Sequence, residues 1–174
     1  MPTAAKVLSL SLAVLLVILL VFASGPFVIV TFFIATILVA SLINISKIRV
    51  IGIEFATFIG VITAIAYDPL TGAVIGAVLI SVHMVAANYI GPYIAWVVPS
   101  YAIGAYVAGI IGAGNIVVTG LYVTLVINGI SLFFTAAIYR QNIGAYMPYM
   151  LTNIAINFFL FSAFGGGALA MLRA

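Results

Sequence analysis

From Val7 to Ala23, and again from Phe27 to Ile45, the chain runs without one charged side chain. Apolar runs of about twenty residues match the hydrocarbon thickness, roughly 30 Å, that a membrane-crossing helix must cover. The pattern recurs along the whole sequence. Helix breakers cut it into seven such segments. After the first two, they run from about Val50 to Tyr67, Pro69 to Asn88, through Pro99 to Gly112, Ile116 to Ile138, and Pro148 to Leu172. Ser24-Gly25-Pro26, NISKIR (44–49), DPLTG (68–72), Tyr89-Ile90-Gly91-Pro92, Gly114-Asn115 and YRQN (139–142) supply the punctuation. Inside lipid every backbone polar group must find an internal partner, so segments of these lengths are expected to be helices. The expected fold is therefore all-α: one integral membrane domain over residues 1–174, a polytopic transmembrane bundle of six to seven helices. Six is the count if one of the first two segments only dips into the membrane.

Charge is scarce: five basic and two acidic side chains in 174 residues. A soluble domain could not stay in water with so few. Only Lys47 and Arg49 lie close together, so there is neither a nucleic-acid patch nor a polybasic lipid-binding tail. Cysteine is absent, which excludes disulfides, thiolate metal sites and thiol nucleophiles. The first 25 residues combine Lys6, an apolar run and small residues at Ala23 and Ser24, as a signal peptide does. We read this segment as a retained first transmembrane helix, with a signal-anchor role as the alternative. With the N-terminus in the cytoplasm, Lys6, Lys47, Arg49 and Arg140 all fall inside, leaving Arg173 and Asp68 outside. The expectation is a multi-pass protein of the cell membrane with that orientation.

The few polar side chains within the spans carry whatever chemistry there is. Asp68 stands just before Pro69, where it can accept from the free N–H groups of the next helix while proline takes the first helical position. A cation or proton site is the alternative. Gly72 and Gly76 form a small-xxx-small pair that lets a neighbouring backbone approach. The same stripe continues through Leu79 to His83, which should be buried as a hydrogen-bonded imidazole or serve as a ligand or relay group. Glu54 sits about one turn inside the third segment. It either pairs with Lys47 or Arg49 at the interface or faces a cavity.

In the sixth segment Thr124, Asn128, Ser131 and Thr135 share one face, and Asn153 and Asn157 form an i, i+4 pair in the last. Such stripes join helices by hydrogen bonds or line a ligand path. Glu54, His83, Asn128, Asn153 and Asn157 are the candidate ligand-binding residues. Tyr89, Tyr93, Trp96 and Tyr101 read as an interfacial belt, or as a lid over a ligand. One histidine, two carboxylates and no cysteine make a metal site improbable. No nucleophile–base pair or phosphate loop is present, since GAGN (112–115) and GGG (165–167) follow no strand. Neither an enzymatic activity nor a cofactor is expected.

The stretch KIRVIGIEFATFIGVITAIAYDPLTGAVIGAVLISVH (47–83) resembles the second and third helices of the S components of energy-coupling-factor vitamin transporters. In that family a GP-x-x-G-x-x-x-G-like turn ends one helix, and the next packs through its small residues. Pro69, Gly72 and Gly76 match, while Asp68 replaces the usual glycine. The cell-shape protein MreD shares this architecture. The resemblance implies capture of a small polar substrate in a cavity near the outer face, with the DPLTG turn on the cytoplasmic side. It also implies docking onto other integral membrane subunits. The competing reading is an accessory subunit, without a ligand of its own, of a respiratory or copper-monooxygenase type complex. A proton- or cation-conducting protein using Glu54 and His83 is a third. The surroundings expected in every case are the lipid bilayer and membrane partners, without nucleic acid.

Overall fold

The computed structural model describes residues 25–47, 51–112, 114–138 and 143–173. Six helices occur among them: α1 (Gly25–Ser46), α2 (Ala56–Ala66), α3 (Pro69–Ala86), α4 (Ile94–Ile111), α5 (Ile116–Ala137) and α6 (Ile143–Arg173). No strand occurs among the described residues. All but α2 are long and apolar enough to cross a membrane. The segment before Gly25, with its expected first helix, lies outside the described residues, as do Lys6, Arg49 and Arg140.

Helix starts follow local chemistry. Asp68 is extended (φ −162°, ψ 159°), its carboxylate accepts from the Thr71 amide at 2.9 Å and from the Thr71 hydroxyl, and Pro69 occupies the first helical position of α3. These two hydrogen bonds hold the exposed Asp68 carboxyl below the usual carboxylate range. Asn115 opens α5 in the same way, its side-chain oxygen accepting from the amides of Val117 and Val118 at 3.1 and 3.2 Å. Proline does not stop the later helices: α4 runs uninterrupted through Pro99, and α6 begins at Ile143, ahead of the start expected at Pro148.

The third segment departs furthest from expectation. It contains only eleven helical residues, α2, a rise of about 16 Å against the roughly 30 Å needed. Residues 51–55 precede it without helical structure, and Gly52 and Glu54 among them are buried. Glu54 therefore does not sit inside a helix. Buried non-helical backbone needs partners from elsewhere in the protein. The Gly52 amide donates to Thr152 Oγ1 at 2.8 Å, and its carbonyl accepts from Asn153 Nδ2 at 2.9 Å. A β-carbon at Gly52 would fall 2.4 Å from the Tyr149 carbonyl, so this approach to α6 needs glycine.

Helix α2 is the axis of the bundle: nine of its eleven residues are buried, against α3, α4, α5 and α6. Its Phe58 meets Phe161 of α6 with ring centroids 5.1 Å apart. The small-residue face of α3 does what its spacing predicts. A β-carbon on Gly72 would lie 2.2 Å from that of Ala64, and one on Gly60 would lie 3.1 Å from the Gly76 backbone. Gly72, Gly76, Leu79 and His83 are all buried. Val30, Ile34, Leu38 and Leu42 of α1, by contrast, point outward, as lipid-facing side chains would.

Candidate functional site: an aromatic cavity over a buried carboxylate

The C-terminal ends of α3 and α5 meet the N-terminal ends of α4 and α6 around a cavity of about 280 Å³. Asp68 begins α3, whereas the cavity is reached only at its last turns, so the DPLTG turn and the cavity occupy opposite ends of the bundle. A Schellman ending shapes the wall. Asn88 takes a left-handed conformation (φ 56°), its amide bonds the Val85 carbonyl, and the Tyr89 amide bonds Met84 at 2.7 Å. That turn brings Tyr89 into the lining, and the Tyr93 hydroxyl then donates to the Tyr89 carbonyl.

Tyr93, just before α4, joins Trp96 and Tyr101 of α4, with Trp96 stacked on Phe134 at 5.7 Å between centroids. Helix α6 adds Tyr146 and Tyr149, stacked on each other at 5.6 Å. Tyr89, Tyr93, Trp96 and Tyr101 thus all line the cavity. The polar lining consists of His83 from α3 and Asn128, Ser131 and Thr135 from α5. His83 is 2% exposed, and its Nδ1 has no hydrogen-bond partner among the described residues. Thr124, the deepest member of the expected α5 face, stays outside the lining and donates to the Gly120 carbonyl.

Behind the wall lies a continuous polar cluster. Tyr146 donates to Asn128 Oδ1 at 3.3 Å, and Asn128 Nδ2 donates to Asn153 Oδ1 at 2.8 Å. Asn153 Nδ2 in turn reaches Glu54 Oε1 at 3.2 Å, and Asn157 Nδ2 reaches the same oxygen at 3.1 Å. Thr57 donates twice, through its amide to Oε2 at 2.9 Å and its hydroxyl to Oε1 at 2.7 Å. Four donors therefore converge on a carboxylate that is fully buried. The expected interfacial pairing with Lys47 is not found: Lys47 is exposed, and the partners of Glu54 are amides and a hydroxyl. Arg49 lies outside the described residues.

All five candidate ligand-binding residues thus belong to one neighbourhood, though in two layers. His83 and Asn128 line the cavity, while Asn153, Asn157 and Glu54 form the layer beneath. Asp68, Gly72 and Gly76 lie away from it and act in capping and packing. No family model, curated protein or solved structure matches the chain.

Tyr146 and Tyr149 were not among the residues singled out from the sequence. A signal for them exists: Tyr146, Tyr149, Asn153 and Asn157 fall at i, i+3, i+7 and i+11, one face of α6. Among the described residues no three acidic or histidine side chains come together as a metal site would require.

Proposed function

We propose that this chain is a non-catalytic multi-pass membrane protein that captures a small polar ligand in the aromatic cavity and works as one subunit of a larger membrane assembly. The observation that carries the reading is the meeting of His83 from α3, Asn128, Ser131 and Thr135 from α5, and Tyr146 and Tyr149 from α6 around one cavity. A subunit serving only as scaffold has no use for such a space. Ligand pockets are characteristically concave and mostly apolar, with a few placed polar groups, and this one fits that description. The S-component resemblance draws support from relative placement, because the cavity and the DPLTG turn lie at opposite ends of the bundle.

Absolute orientation is where two arguments collide. Lys47 lies at the cavity end, and in chain order Arg49 falls between α1 and α2 and Arg140 between α5 and α6. The positive-inside tendency would put that end in the cytoplasm, whereas outward-facing capture needs it outside. The cysteine-free sequence makes the test direct. Single cysteines at the exposed positions Ile90, at the cavity end, and Leu70, at the other, are treated in whole cells with a membrane-impermeant maleimide. Labelling at Ile90 alone supports capture from outside. Labelling at Leu70 alone removes the S-component role and leaves a cavity that opens towards the cytoplasm.

A second reading, the accessory subunit, is favoured by one observation. Ala163, Gly166, Gly167 and Ala170 form an exposed small-residue face on α6, and a β-carbon on either glycine would meet nothing within 4 Å. In membranes such faces suit close helix–helix contact. Purification from native membranes in mild detergent, with mass spectrometry of the co-purifying chains, separates the readings. A stable complex whose thermal stability no small molecule raises would favour the accessory role; isolation as a lone protein would remove it.

A further inference from the structure

We propose that the cavity binds a small organic ammonium cation, held among its tyrosine and tryptophan rings and by the negative charge of Glu54 behind Asn128 and Asn153. This rests on the reading of the cavity as a ligand site and adds the charge class of the ligand. Three observations carry it. Five tyrosines and the single tryptophan of the chain contribute to the lining, and aromatic surfaces of this kind attract desolvated cations.

Second, no lysine or arginine is among the described residues that line the cavity. An anion would enter a low-dielectric space with no counter-charge among the described residues and with a carboxylate two side chains away. Beneath the lining, the amide donors of Asn153 and Asn157 are directed at Glu54. Third, Glu54 has no cationic partner among the described residues, and buried carboxylates ordinarily have one. A cationic ligand supplies the missing charge. His83, almost wholly buried with Nδ1 free, offers an acceptor to any N–H the ammonium carries.

The test uses three probes of nearly one shape: choline, the neutral 3,3-dimethylbutan-1-ol and the anionic 3,3-dimethylbutanoate. Each is titrated into the full chain in neutral-lipid nanodiscs at pH 7.5. Trp96 is the only tryptophan, so its emission reads occupancy of the cavity without a label. Choline is expected to shift the emission saturably, with the alcohol at least about tenfold weaker and the carboxylate weaker still. In Glu54→Gln the preference of choline over the alcohol should shrink by roughly tenfold, while binding of the alcohol persists. Should that variant fail to fold, Tyr93→Leu at the half-buried rim provides the second arm, with choline weakened and the alcohol little changed.

If the alcohol matches choline, or the carboxylate binds tightest, the cation assignment is overturned and the cavity remains a ligand site. Silence from all three probes would overturn the cavity reading along with it.

Discussion

Replacing Asn153 by alanine should be among the most damaging single changes in this chain. The side chain makes three buried contacts: to the Gly52 carbonyl, to Glu54 and from Asn128. Glu54 would keep both bonds from Thr57 and that from Asn157. The Gly52 carbonyl and one Asn128 N–H, however, lose the partners identified for them, at about 1–3 kcal/mol each when buried without water. Measured interhelical hydrogen bonds in membranes average about 0.6 kcal/mol, which lowers the expectation. Together these give a loss of about 2–4 kcal/mol. Asn157→Ala is the internal control. It removes one bond to Glu54 and one to its own helix, and it also removes an Oδ1 that is buried without a partner. Its cost should be near 1 kcal/mol. Both variants can be compared by reversible unfolding in mixed micelles with increasing dodecyl sulfate. A double-mutant cycle of Asn153→Ala with Glu54→Gln should yield a coupling of at least about 0.5 kcal/mol. If Asn153→Ala proves no worse than Asn157→Ala, Asn153 does not hold residues 51–55 in place, and the account of the broken third span fails.

Gly72→Ala should sharply reduce the yield of folded protein, because its β-carbon would fall 2.2 Å from that of Ala64, with backbone atoms at 2.5 Å. Gly129→Ala, where nothing lies within 4 Å, should be neutral or raise stability by up to about 1 kcal/mol; thermal unfolding followed by circular dichroism compares the two. Asp68→Ala should lower the thermal midpoint at neutral pH. Because the native carboxyl titrates below its unfolded value, its contribution is complete above about pH 4 and fades as pH falls through the lower native value. The gap between wild type and variant should therefore stay constant from pH 7 to about 5 and narrow only in strong acid.

Much of the fold is legible because its signals are local. The Asp68-Pro69 cap, the Asn115 start and the Gly72–Gly76–Leu79–His83 stripe each depend on neighbours within a turn or two. The third segment was misread for the opposite reason. Glu54 apart, residues 51–55 are apolar or glycine, and that composition alone does not mark them as non-helical. What stabilises them comes from Thr152 and Asn153, a hundred residues away in the chain. The aromatic residues around Tyr89 to Tyr101 were ambiguous because interface and cavity favour the same amphipathic rings. Only the arrival of Tyr146 and Tyr149 from α6 closes a space between them. One local signal was present and unused: Glu54-Phe55-Ala56-Thr57 repeats the acid-x-x-threonine spacing of Asp68-Pro69-Leu70-Thr71.

That repetition isolates what is particular about Glu54. In both places the carboxylate accepts from the amide and the hydroxyl of the threonine three residues on, at the start of a helix. Asp68 does this at an exposed turn, where water serves its remaining lone pairs. Helix initiation therefore accounts for two of the four hydrogen bonds to Glu54 and for none of its burial. The other two come from Asn153 and Asn157, and Asp68 has no counterpart to them. A continuous helix through residues 51–55 would have paired Gly52 within its own turns and left those asparagines facing apolar neighbours. A chain with only two acidic residues instead places one inside the bundle and connects it, through Asn153 and Asn128, to the wall of the cavity. Intramembrane carboxylates are costly, and buried polar clusters are poor stabilisers compared with apolar packing. The excess over what capping requires is directed at the cavity, which supports the proposed ligand-binding role over the scaffold alternative.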